Sequence, residues 1–288
     1  MAAGSVQQAL DAVTEGSAHA AVVPLENSIE GSVRVTIDHL ISDDRLMIVR
    51  EVILPVVFNL YVRPGSIAEM VTTVATHPHA EAQCRRWLNQ NLPGASVAAV
   101  ASTADAARSV SNGEFDAAVC GKTAGERYAL EALATDIGDN NDAVTRFGVI
   151  ARSGKPPVRT GNDLTSLVAY IPHDRAGALL EVLQQFATRD INLTRIESRP
   201  TKEGLGRYCF YLDCEGHIDD LRVAAALKGL HRLCLRVRFL GSYPQAGGIS
   251  RAEPGNGAKD SDFVAAEEWV VQLRDPGLDG RLTADDVT

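Results

Sequence analysis

The stretch 152–162, RSGKPPVRTGN, constrains this chain more than any other feature. It carries Pro, Gly and polar residues with no hydrophobic periodicity, so it reads as a connector and marks the best domain boundary. The patterns on its two sides differ. Before it, 5–15 reads as a helix, with Val6, Ala9, Leu10 and Val13 at helical spacing. Residues 20–23, ahead of Pro24, read as a short buried strand. Residues 46–53 and 56–62 are rich in β-branched residues and read as strands punctuated by Pro55. Residues 72–76 make another short strand, and Pro78 opens a helix to about residue 92. A strand at 96–101 leads to Ser102, with Asp105 three residues on in the manner of a capping box. A strand at 116–120, a helix to about 133 and a strand at 144–151 complete the region. Strands alternating with helices predict an α/β domain on mostly parallel sheets.

Beyond the connector the order changes. Residues 164–171 read as a strand. Asp174 is placed to cap a helix carrying Leu179, Val182, Leu183 and Phe186 on one face. Strands follow at 191–198 and 207–215, then a helix opened by Asp219 with Leu221, Ala224, Leu227 and Leu230, then a strand at 235–240. That order, βαββαβ, predicts a ferredoxin-like sandwich of four antiparallel strands under two helices. From residue 244 the chain is loose, except for a helix near 263–273.

Charge and composition narrow the function classes. The net charge of the 288 residues is −9, with no Lys/Arg-rich block, which argues against nucleic acid as a partner. The longest apolar run, 53–62, is interrupted by Pro55 and Asn59, so no membrane span is expected. The N-terminus, MAAGSVQQALDAV, has no basic region before a long apolar stretch and does not read as a secretory signal. The 5 cysteines (Cys84, Cys120, Cys209, Cys214 and Cys234) contain no CxxC pair. Reduced thiols in a cytoplasmic protein are the simplest reading. His77 and His79 lack a third ligand nearby, so no metal is expected there. No P-loop, GxGxxG, HExxH or GxSxG occurs, and no cofactor is expected. Any chemistry must then come from acids, hydrogen bonds and positioning.

Polar residues concentrate where predicted strands end: 24–32 (PLENSIEGS), Thr76-His77-Pro78, Ser102-Thr103 and Thr145-Arg146-Phe147. In open α/β folds ligands sit outside the carboxyl ends of strands, where helix N-termini offer free N–H groups. Such a set suits a small dicarboxylate in an acidic protein. Each residue also has a plainer reading. Thr76 and Ser102 are commonly just helix caps. Arg146 is suited to neutralising a carboxylate or to a structural salt bridge, and Phe147 to walling a ring or to packing. Gly177 lets a ligand approach a helix start or merely fits a tight turn. Glu197 is suited to an ammonium group or to pairing with Arg199.

Together PLENSIEGSV (24–33), THPHAEAQC (76–84), VTRF (144–147), GALL (177–180) and INLTRIESRP (191–200) resemble the prephenate dehydratase family with its regulatory ACT domain, over about residues 5–243. The resemblance implies a two-lobed catalytic domain similar to type II periplasmic binding proteins at 1–155, an ACT domain at 163–243 and a tail at 244–288. It implies conversion of prephenate to phenylpyruvate with loss of water and carbon dioxide, without cofactor or metal. The family's essential threonine falls on Thr145, its Glu-Asn pair on Glu26 and Asn27, its residue before His-Pro on Thr76 and its glutamine on Gln83. Ser28, Ser102, Thr103, Arg146 and Phe147 complete the expected substrate contacts. L-Phenylalanine is expected to inhibit at Gly177, Ala178, Leu179 and Glu197-Ser198-Arg199-Pro200, with self-association through ACT sheets to a dimer or tetramer.

Two departures stand against this. The family places a strand and a Gly-Pro-x-Gly-Thr-Phe/Tyr loop well before its Glu-Asn-Ser, which here already stands at 26–28. Their absence is expected to leave a sheet edge open and to impair the cleft. Ala176 also replaces the usual proline before Gly177. The competing readings are an inactive homologue acting only as an amino-acid-binding ACT protein and a two-lobed solute-binding receptor. Arogenate is an open alternative to prephenate.

Overall fold

The structure is a computed structural model; it describes residues 3–140, 142–172, 175–201, 208–247, 255 and 257–274. The described chain divides into two compact units. One comprises Met1–Leu25, Ser32–Val52 and Arg146–Thr288, and the other Glu26–Gly31 and Ile53–Thr145. The units therefore do not follow the connector at 152–162. The first takes in segments from both sides of it.

In the first unit, helix α1 (Val6–Glu15) starts at Ser5, whose hydroxyl accepts the Gln8 N–H, and ends at Gly16 with φ of 84°. Both ends obey ordinary capping chemistry. A four-stranded sheet has the order β2-β1-β9-β3, with β1 Ala20–Asn27, β2 Gly31–Ser32, β3 Leu46–Pro55 and β9 Val144–Arg152. The outer neighbour of β1 is the two-residue β2, and Val22 is 62% exposed. Helix α2 (Arg34–Ser42) follows β2 and buries Ile37 and Leu40. Sequence periodicity did not mark it, because polar and β-branched residues interrupt its short apolar face.

The ferredoxin-like module belongs to the same unit. Strands β10 (Asp163–Tyr170), β11 (Leu193–Pro200), β12 (Tyr208–Glu215) and β13 (Arg236–Pro244) form an all-antiparallel sheet in the order β11-β12-β10-β13. Helices α6 (Ala178–Ala187) and α7 (Leu221–Leu233) cover one face. There Leu167, Ala169 and Leu212 pack with Val182, Phe186, Val223 and Leu230. The opposite face does not meet water. Its Leu164, Val168, Tyr211, Leu240 and Tyr243 share one buried core with Leu10, Leu25, Ile37, Ile48 and Ile150. Side chains alternate across a strand, so one sheet supplies two cores. The contact is close enough to require glycine: at Gly241 φ is 139°, and a Cβ would lie 2.1 Å from the Ile48 carbonyl oxygen.

The second unit holds a five-stranded sheet, β6-β5-β7-β4-β8, with β4 Asn59–Val62, β5 Thr73–Thr76, β6 Ser96–Ala99, β7 Ala117–Cys120 and β8 Glu131–Ala134. Leu60, Val74 and Val119 face Cys84 and Leu88 of α3 (Pro78–Asn91), while Ala75 and Ala118 face Ala106 and Val110 of α4 (Thr103–Ser111).

Several sequence expectations need correction. The five-stranded sheet is mixed, not mostly parallel: β5 runs parallel to β6 and β7, but β4 runs antiparallel to β7 and β8. The helix expected to reach 133 is α5 (Lys122–Arg127), which stops early, with Ala129 at φ of 53° and β8 following. Helix α7 takes Asp220, not Asp219, as its N-terminal cap residue, and the Asp220 carboxylate accepts the His217 N–H instead of a helix amide. Helix α6 begins after Gly177, while Asp174 lies outside the described residues. The last helix, α8, is longer than expected, Asp260–Arg274.

Candidate active site

The second unit brings 26–31 against the start of β9. Asn27 Oδ1 accepts the backbone N–H groups of Ile29 (2.9 Å) and Glu30 (3.2 Å), closing a local turn. That fixes the amide orientation, because only its NH2 group is left to donate. Asn27 Nδ2 donates to Thr145 Oγ1 at 3.0 Å. A hydroxyl whose oxygen already accepts a hydrogen bond has its own proton free for another acceptor. The turn is pinned at a second point. Ser28 N–H donates to the Val144 carbonyl (2.9 Å), and Val144 N–H donates to Ser28 Oγ (3.0 Å). Thr145 is half-buried, as is Glu26, while Ser28 is exposed.

Gln83, from α3, donates to Glu30 Oε1 at 3.2 Å, and His79 Nδ1 lies 2.6 Å from Glu30 Oε2. Helix α3 thus ties the far end of the same turn. Glu30 was not singled out from the sequence, because its partners lie some fifty residues away. His77 and His79 stack edge to face, with centroids 4.8 Å apart, and the His77 ring accepts the His79 N–H as a helix cap. No group of three or more His, Cys, Asp or Glu suited to a metal occurs among the described residues.

Thr76 is fully buried, and its hydroxyl donates to the Val119 carbonyl at 2.9 Å. Ser102 caps α4, its hydroxyl accepting the Asp105 N–H at 3.0 Å, and Thr103 follows as the first helical residue. Ser102 therefore serves as the helix cap of its plainer reading, whereas Thr76 does not cap α3, whose N-cap is His77, and spends its hydroxyl inside the sheet. Burial pushes the thiols of Cys84 and Cys120 up to about 12, so neither is a ready nucleophile.

Arg146 and Phe147 continue β9 into the first unit. Only 14% of the Arg146 side chain is exposed. Its Nε donates to Glu51 Oε2 (2.6 Å), its NH1 to Asp213 Oδ2 (2.7 Å) and its NH2 to Tyr243 Oη (3.0 Å). Burial works against the guanidinium's charge, yet Tyr243, Asp213 and Glu51 around it raise its pKa on balance. The arrangement is that of the buried salt bridge. Phe147 is half-buried.

The expected effector residues fall into two groups. Gly177, at φ of 85°, Ala178 and Leu179 line a cavity of about 460 Å³ with Leu183, Phe210 and Arg175. Glu197 and Arg199 turn elsewhere within the same unit. Ser32 and Arg195 both donate to Glu197, and Arg199 pairs with Asp38 and Glu197. Ser198 and Pro200 are exposed on the other face of β11.

Comparison with known proteins agrees with this architecture. The family model for prephenate dehydratase matches residues 1–155, and that for the ACT domain matches 165–232. The chain is 48% identical to a prephenate dehydratase of Amycolatopsis methanolica, over 95% of this chain and 89% of the relative. It is 47% identical to one from Mycobacterium tuberculosis, over 94% of this chain and 82% of that one. Among solved structures, it is similar to a prephenate dehydratase of Arthrobacter aurescens in complex with L-Phe. The identity is 44%, the TM-score 0.89, and the match covers 95% of this chain and 90% of that one.

Proposed function

Because the chain belongs to the prephenate dehydratase family, we propose that Thr145 is the proton donor in a decarboxylating dehydration of prephenate to phenylpyruvate. The hydrogen bond from Asn27 Nδ2 to Thr145 Oγ1 carries this reading. Breaking the bond between the ring and its carboxylate releases carbon dioxide and sends an electron pair into the ring. The ring becomes aromatic as the C–O bond opposite breaks. The departing hydroxide takes the Thr145 proton and leaves as water, and Thr145 regains a proton from solvent.

A threonine hydroxyl is a weak acid, so its developing negative charge needs a fixed donor. Asn27 supplies one, already oriented by its turn, which is electrostatic preorganisation. General acid catalysis contributes typically about 10²–10⁴-fold. Glu26, Ser28 and Gln83 belong to the same assembly and are proposed to shape the ring site. Thr76, at the end of β5, and Ser102 and Thr103, just beyond β6, are proposed to frame it. Arg146 and Phe147 are proposed to hold β9 rather than touch substrate. The test is turnover of prephenate by the full chain and by Thr145→Val, which keeps shape and removes the hydroxyl.

The ACT module is proposed to take L-phenylalanine at Gly177–Leu179. The cavity there and the L-Phe complex of the Arthrobacter relative support this. Binding of the ammonium by Glu197 would compete with Ser32, Arg195 and Arg199, which already donate to its carboxylate. Self-association through the ACT sheet and a cytoplasmic setting complete the proposal. The five cysteines are free, which suits a reducing compartment. No helix among the described residues is long and apolar enough to cross a membrane.

A further inference from the structure

We propose that Asp213, Ser166 and Tyr243, all contributed by the ferredoxin-like module, are positioning residues for the reaction, acting through Arg146 on the strand that presents Thr145. This rests on the reading of Thr145 given above. The observation is a closed ring of hydrogen bonds in the first unit. Arg146 NH1 donates to Asp213 Oδ2 at 2.7 Å. Ser166 Oγ donates to Asp213 Oδ1 at 2.5 Å. Ser166 has one proton, so in its 2.6 Å contact with Tyr243 the phenol is the donor. Tyr243 Oη in turn accepts from Arg146 NH2 at 3.0 Å. Outside the ring, Arg146 Nε donates to Glu51, whose other oxygen accepts the Ala246 N–H at 2.6 Å.

Each ring member has a determined role, so the guanidinium has one orientation. Asp213, Ser166 and Tyr243 are fully buried, and Glu51 nearly so. Buried charges tolerate no vacancy, because an orphaned partner loses both water and its counter-charge. The planar fork of arginine is required, since an ammonium cannot serve three fixed acceptors along these lines. Burial keeps the Tyr243 phenol protonated well above its ordinary range, so it remains a donor. Arg146 directly follows Thr145 on β9, and successive side chains point to opposite faces. The ring therefore clamps the backbone one residue from the reacting hydroxyl. Misplacing a catalytic group by 1 Å can cost about 10²-fold in rate.

The experiment uses the full chain with Tyr243→Phe, which deletes one oxygen, and Asp213→Asn, which keeps shape and removes charge. Steady-state formation of phenylpyruvate from prephenate is measured beside amide hydrogen exchange of peptides covering β9. The expected result is kcat lowered about tenfold or more, KM within about twofold, and exchange at the start of β9 faster by about tenfold. Wild-type kcat in a folded variant, or unchanged exchange in β9, overturns the proposal. A fall in kcat matched by an equal rise in KM also overturns it, since that marks lost substrate contact. If Asp213→Asn does not fold, Tyr243→Phe decides. Should the wild-type chain fail to turn over prephenate, the reading of Thr145 falls. The exchange measurement still judges the ring, and unchanged protection refutes it.

Discussion

The oxygen of Thr145 accepts a hydrogen bond from the Asn27 NH2 group, and Asn27 is held by two backbone N–H groups of its own turn. This order of donors matters more than the presence of a hydroxyl. Replacing Asn27 with Asp keeps the oxygen that closes the turn. It removes the NH2 group and places a carboxylate beside Thr145. That carboxylate would accept a hydrogen bond from the Thr145 hydroxyl and repel the developing alkoxide. Asn27→Asp should lower kcat by about 10²–10³-fold, the range seen when one oxyanion donor is lost. Steady-state kinetics on the folded variant check this; kcat within twofold of wild type would contradict it. Arg146 teaches a different lesson at the same scale. Its charge suited a carboxylate of the substrate equally well, and only the long-range partners Glu51, Asp213 and Tyr243 distinguish the two uses.

Helix α4 shows how one residue can carry two readings that an element resolves. Ser102 caps it through the Asp105 N–H. Ser102→Ala should cost about 1 kcal/mol of stability, as N-cap removal typically does. If Ser102 also orients substrate, KM for prephenate rises in the same variant. A denaturant midpoint and a KM value separate the two roles. Much at this scale was legible in the sequence. The spacing of Val6, Ala9, Leu10 and Val13 announced α1, and Pro78 and Ser102 announced α3 and α4, because periodicity and caps are local chemistry. The βαββαβ order announced the ferredoxin-like sheet. What escaped depended on contacts. Helix α2 has little periodicity of its own and is made by burial of Ile37 and Leu40. Strand β8 follows Ala129, a non-glycine residue in the left-handed region that no sequence pattern marks. The turn at 26–31 was readable as unusually polar, but its anchorage by Ser28, Glu30 and Gln83 was not.

For the molecule as a whole, the connector at 152–162 lies at the junction between the two family-model matches but does not divide the two compact units. Val158 within it is 81% exposed. Yet the segments on either side share the core formed by Leu25, Ile48 and Ile150 with Val168, Tyr211 and Tyr243. Each buried side chain of this size contributes about 1.5–3 kcal/mol. Proteolytic nicking between 158 and 160 should therefore leave the two fragments associated. Gel filtration after nicking should show them co-eluting without denaturant; separate elution would mean the shared core is not stable. The same continuity explains how an ACT module comes to supply partners for Arg146, a residue that neighbours the proposed proton donor.

Phenylpyruvate formation from prephenate, followed side by side for the wild-type chain and Thr145→Val, tests the account most directly. We expect turnover by the wild type and a kcat lower by about 10²–10⁴-fold in the variant, with the fold intact by circular dichroism. Equal turnover by the two proteins, or none by the wild type, would contradict it.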